Sequence, residues 1–108
     1  MTKLNTAPFP SKLTYALGAS LDCYLGTYGN GQTALLLRDA LTGEPVAKAT
    51  VAVDFPPGPG LVVLKCWSEN QGMVETLHSA GIIQGETQGL IACGHAYGEV
   101  YILSEVVV

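Results

Sequence analysis

Charge is what this sequence has least of. Nine carboxylates and five lysines or arginines make up 13% of its 108 residues, where an ordinary soluble domain carries about 25%. The basic residues, Lys3, Lys12, Arg38, Lys48 and Lys65, form no stripe along the chain. Without that footprint a nucleic-acid partner is not expected. The carboxylates fall singly from Asp22 to Glu105, so no acidic run imitates a phosphate backbone. Long apolar runs are also missing. The longest are pieces such as "LVVL" and "VVV", far short of the ~20 residues of a membrane span, so no membrane partner is expected. The opening "MTKLNTAPFPSK" lacks the apolar core of a secretion leader, and a cytoplasmic location follows as the expectation. Cysteine is sparse and odd in number: Cys23, Cys66 and Cys93 are far apart. That spacing matches neither a disulfide framework nor a paired zinc motif, so each thiol reads as a small buried apolar residue and no metal or cofactor is expected.

What the chain does have is apolar residues, 48% of the total. One domain spanning 1–108 accounts for the length, and a domain so small removes only about two-thirds of its unfolded surface from water. Apolar side chains in that proportion should leave some surface for a partner to cover, a second copy in a homo-oligomer (a dimer) or a different protein.

Periodicity supplies the elements. Residues 1–11, with two prolines, read as an irregular arm. Leu13, Tyr15, Leu17, Ala19, Leu21, Cys23 and Leu25 alternate with more polar positions, the period of strand with one buried face, bent or divided at Gly18. Asn30-Gly31 predicts a tight hairpin with positive φ at both central residues, and the next strand runs from Thr33 to Asp39. "DALTGEP" turns the chain at Gly43 and Pro45. In "VAKATVAV", Ala47, Ala49, Val51 and Val53 share a face. "FPPGPG", 55–60, breaks the sheet because proline cannot donate to a ladder, and "LVVLKC" resumes it.

Helical grammar then takes over. Ser68 stands where an N-cap belongs, and Gln71 completes a capping-box pattern. Glu69 falls in the first turn, Met73 or Val74, Leu77 and Ala80 line one side, and Gly81 closes the helix with Ile82 beyond it. The expected helix covers about 69–80. "GLIACGHA" and "EVYILSEVVV" read as a terminal hairpin turning at "YG". The fold class is α+β: a mainly antiparallel sheet of about six strands, with a meander at the start, a C-terminal hairpin and one helix packed across a face.

Candidate chemistry is thin. Cys93-Gly-His95 places two soft ligands on one strand face, but no further pair has ligand spacing. A cysteine–histidine nucleophile would need an imidazole beside a thiol, and no spacing here requires Cys23, Cys66 or Cys93 to meet His78 or His95. "GTYGNGQT" lacks the lysine and the helix of a phosphate loop. No catalytic residue is assigned. The binding candidates are Trp67, Ser68, Glu69 and Asn70 at the helix start, where an aromatic anchor meets a polar spot. Pro57 and Pro59 join them as preformed extended backbone.

"TGEP" at 42–45 and "WSEN" at 67–70 with "AGI" at 80–82 resemble an uncharacterised family of small bacterial proteins encoded on plasmids, integrated elements and phages. The likeness extends over most of the chain. The family carries "PTG" after the helix, where "QGETQGL" stands here. The resemblance brings no catalytic residues. It implies a mobile-element accessory protein that binds a host protein, such as an inhibitor of a defence system like CRISPR. The leading expectation is therefore a non-enzymatic binding protein. A small-molecule (nucleotide-like) binder with a pocket between sheet and helix is the alternative, and a cysteine–histidine enzyme the second alternative.

Overall fold

The computed structural model describes residues 2–5 and 7–104. Eight strands in two antiparallel sheets and one short α-helix make it an α+β fold. The first sheet centres on a hairpin of β3 (Ser20–Thr27) and β4 (Thr33–Asp39), and β5 (Pro45–Lys48) adds to β4. Among its described residues the arm 1–11 is irregular over about half its length, yet it lays β1 (Thr2–Lys3) and β2 (Phe9–Pro10) along β3. The second sheet has the order β6-β8-β7, from β6 (Leu61–Leu64), β7 (Ile83–Cys93) and β8 (Ala96–Leu103). After β5 the chain crosses between the sheets. Ala49 donates to Leu35 and accepts from Lys65, and Thr50 bridges Leu64, so the sheets are stitched along one side.

The main core lies between them. Leu21, Cys23, Leu35 and Leu37 from the first sheet meet Val62, Leu64, Tyr101 and Leu103 from the second. Helix α1 (Met73–Ser79) seals one end with Met73 and Leu77, at helical spacing on its buried side. A smaller cluster, Val53, Val63 and Val100, forms on the opposite face of the second sheet.

Several expectations change against this frame. The long alternating strand begins only at Ser20. Thr14–Ala16 form a 3-10 turn, and Tyr15 and Leu17 are exposed, because Ser11 bonds both Ala19 and Gly18 and closes a loop there. The β3–β4 connection has Gly29, Asn30 and Gly31 in the loop with left-handed φ at Gly31, not at both residues of the Asn-Gly pair. That is a type I turn with a bulge.

The helix is also shorter than expected. Ser68–Asn70 make one isolated 3-10 turn, with Ser68 at φ 59 and no side-chain cap bond. The helix proper starts after Gly72 (φ 94), where a Cβ would sit 2.0 Å from the Lys12 carbonyl oxygen. The capping box fails because distant partners fix the chain on and around it. Asn70 Nδ2 donates to the Lys48 carbonyl, Thr14 N–H takes the Gln71 carbonyl, and Thr76 Oγ1 accepts from Lys12 N–H. The far end behaves as read. Gly81 (φ 74) donates to His78 and Ile82 to Leu77, the paired bonds of a Schellman C-cap.

The terminal hairpin turns at Gly94-His95, not at "YG". Gly94 has φ 65 in a two-residue loop, whereas Gly98 lies in β8 with its Cα against Val63. The final "VVV", read as strand, lies outside the described residues. No helix among the described residues is long and apolar enough to cross a membrane.

Candidate functional site

Trp67 follows β6 and is half-buried. Its ring borders a depression shared with 51–54 and with Ala92, Cys93 and Gly94 at the tip of the β7–β8 ribbon. Lys65 Nζ stands 6.0 Å from the Trp67 ring centroid and 2.6 Å from Glu69 Oε1. That hydrogen bond, helped by backbone and Ser68 donors, draws the exposed Glu69 carboxyl down to about 2. Ser68 is exposed. Asn70 is not surface at all: at 1% exposure it ties the 3-10 turn to β5. It is corrected from a binding residue to a structural anchor. Pro57 is half-buried and Pro59 exposed, and neither lines the Trp67 depression or the cleft beside Glu69 and Asn70. The sequence-predicted set is thus split among a surface turn, a buried tie and a separate loop.

Two of the thiols are held protonated. Burial pushes Cys23 up to about 12. Burial first, then the Glu99 and Glu75 carboxylates, do the same for Cys66. Cys93 Sγ donates to the Ile91 carbonyl at 3.3 Å. His95 is exposed in the hairpin turn, so it does not share a strand face with Cys93. His78 is exposed and meets Tyr101 edge-on, ring centroids 5.9 Å apart. Among the described residues no cluster of three histidine, cysteine or carboxylate groups could hold a metal ion.

A different surface emerges at the ribbon tip. Paired residues across antiparallel strands share a face, and the register pairs Leu90 with Glu99 and Ala92 with Tyr97. Leu90, Ala92 and Tyr97 are all exposed on that face, Leu90 and Tyr97 at 62% each. Among the described residues β7 is an edge strand of its sheet, as β6 is on the other side. In a two-residue hairpin the closing pair, Cys93–Ala96, exchanges its bonds inward, so Leu90 and Ala92 aim their backbone N–H and C=O away from β8. From Thr87 to Gly98 the chain has no Asp, Glu, Lys or Arg. That uncharged dozen was the available signal in the sequence, hidden because a plain alternating strand reads as ordinary sheet.

No protein-family model, curated protein or solved structure matches the chain.

Proposed function

We propose that this chain is a non-enzymatic protein-binding module that docks through the β7–β8 tip by adding a partner strand to the free β7 edge. The carrying observation is the exposed, uncharged edge with Leu90 and Tyr97 beside it. Natural sheets blunt such edges with charge, proline or a bulge. Here the irregularity between Gln84 and Gly89 guards only the near half of β7. A second copy is the partner the edge fits most directly, because a two-fold axis would set identical uncharged strands antiparallel and cover both apolar faces. The raised Cys23 and Cys66 thiols, which stay protonated at neutral pH, support the non-enzymatic part of the reading. The resemblance to the mobile-element family supports an accessory role, in which the same edge would engage a host protein such as a defence component.

Sedimentation velocity over a concentration series tests this. The protein is expected to dimerise, and Leu90→Asp to raise the dimer dissociation constant at least about tenfold by setting like charges across the two-fold axis. A chain that stays monomeric at high concentration and retains no protein from bacterial lysate overturns the proposal. So does a Leu90→Asp variant that associates unchanged.

A further inference from the structure

The outer face of the first sheet holds a separate site. Across β3 and β4 the residues on that face pair as Asp22–Arg38, Tyr24–Leu36 and Gly26–Ala34. At the last pair the face loses its side chains, leaving a trough of about 360 Å³ bounded by Tyr28, Leu36 and Lys48. The β3–β4 register is unbroken there, so an extended strand makes no demand for glycine at position 26. Glycine inside a strand weakens it, and one recurrent reason to find it is the close approach of a ligand.

The walls are placed for one kind of guest. Tyr28 Oη and Thr50 Oγ1 share a hydrogen bond of 3.0 Å, and Thr50 Oγ1 also takes the Leu35 N–H, which fixes the far end of the Tyr28 ring. Lys48 Nζ sits 5.7 Å from the centroid of that ring. Among the described residues Lys48 makes no ion pair, while Lys3 is held by Asp22 and Lys65 by Glu69. None of the residues lining the trough is acidic. In a chain of net charge −4, the charged residues among the described strands on this face are Lys3, Arg38 and Lys48 against one carboxylate, Asp22. A lysine ammonium at the edge of a shallow apolar trough is complementary to a ring that carries one negative group.

We propose that the trough binds a small planar organic anion. Its ring lies on the Gly26–Ala34 floor against Tyr28 and Leu36, and its carboxylate or phosphate meets the Lys48 ammonium. This site is distinct from the ribbon tip, and neither reading needs the other.

The test is a proton–nitrogen NMR titration with 1-naphthoate, 1-naphthyl phosphate and the neutral 1-naphthalenemethanol. Saturable shifts are expected at Gly26, Ala34, Leu36 and Lys48, with the anions bound about tenfold tighter than the alcohol. A tighter phosphate than carboxylate would mark phosphate esters as the guest, and the reverse order carboxylates. Lys48→Met should erase the advantage of the anions while leaving the spectrum folded. Ala34→Leu fills the trough and should abolish all three. Leu90→Asp should change nothing here. Equal affinity for the three probes, shifts centred on other residues, no shifts at millimolar probe, or binding that survives Ala34→Leu overturns the proposal.

Discussion

The two ends of the β7–β8 ribbon bury opposite faces. At the base, where Ile83 pairs with Leu103, the inner face is sealed by Leu77 and Ile82, and Ser104 N–H is tied to the Ile82 carbonyl. At the tip the inner face is bare, with Leu90, Ala92 and Tyr97 exposed. There the outer face is the covered one, as Ile91 and Cys93 pack against Val53, Val63 and Val100. The change occurs at the register shift, where Gly85–Gln88 stand between the Gln84–Ile102 and Gly89–Val100 pairs and Thr87 Oγ1 bonds the Gly89 and Val100 carbonyls. Strand periodicity is the same at both ends. What differs is which neighbour is near, so burial in a ribbon reports the elements laid against it and not its own pattern.

The sharpest way to break this comparison is to truncate one leucine from each end. Leu77 is fully buried under the base, and Leu77→Ala should cost about 3 kcal/mol, the transfer loss plus the cavity left behind. Leu90→Ala at the tip should change the urea midpoint by no more than about 0.5 kcal/mol equivalent. Similar losses at the two positions in urea titrations would mean that the tip is packed after all. On the covered outer face near the tip, a Cβ on Gly98 would clash with Val63 Cγ1. Gly98→Ala should therefore cost about 1–3 kcal/mol by overpacking the small cluster. A Val63→Ala background, in which that methyl is gone, should recover most of the loss.

The readable parts of the sequence were those governed by neighbours in the chain. Thr33–Asp39 is a strand with the expected limits, and Asp39 closes the "DALTGEP" turn by accepting from Leu41 and Thr42 N–H. Gly81 ends the helix because left-handed φ is a one-residue requirement. The errors share a cause of the other kind. Ser68 cannot cap a helix that Lys12 and Lys48 hold in register from far along the chain, and Gly98 is a glycine for Val63, not for a turn. For the candidate site, the sequence placed Trp67 at the end of a strand but did not give its burial, which the structure makes intermediate. Asn70 was not legible as core, since its partner is a backbone carbonyl that no side-chain pattern announces. Leu90 and Tyr97 are exposed although they continue the face that is buried at the base. What covers a face is set by its neighbours in space, and periodicity within the ribbon is silent on it.

The smallest effect concerns pH, and it sharpens the sealed end of the comparison. Cys66 lies beside Met73, Glu99 and Tyr101 under the helix, and Cys23 lies in the core. Both thiols keep their protons in the fold until pH about 12, against 9.0 for an unhindered thiol. Above pH 9 the unfolded chain sheds these protons and the folded one does not. The contribution to stability is thus whole below pH 9 and drains away as pH rises toward 12. A urea midpoint followed from pH 8 to 11 should fall, and replacing Cys23 and Cys66 by alanine should flatten the slope of that fall while lowering the plateau. Iodoacetamide gives an independent reading at pH 8, where both thiols should react on the order of a hundredfold more slowly than free cysteine. Rapid labelling of Cys66 would show that the helix opens readily and that the seal beneath it is loose.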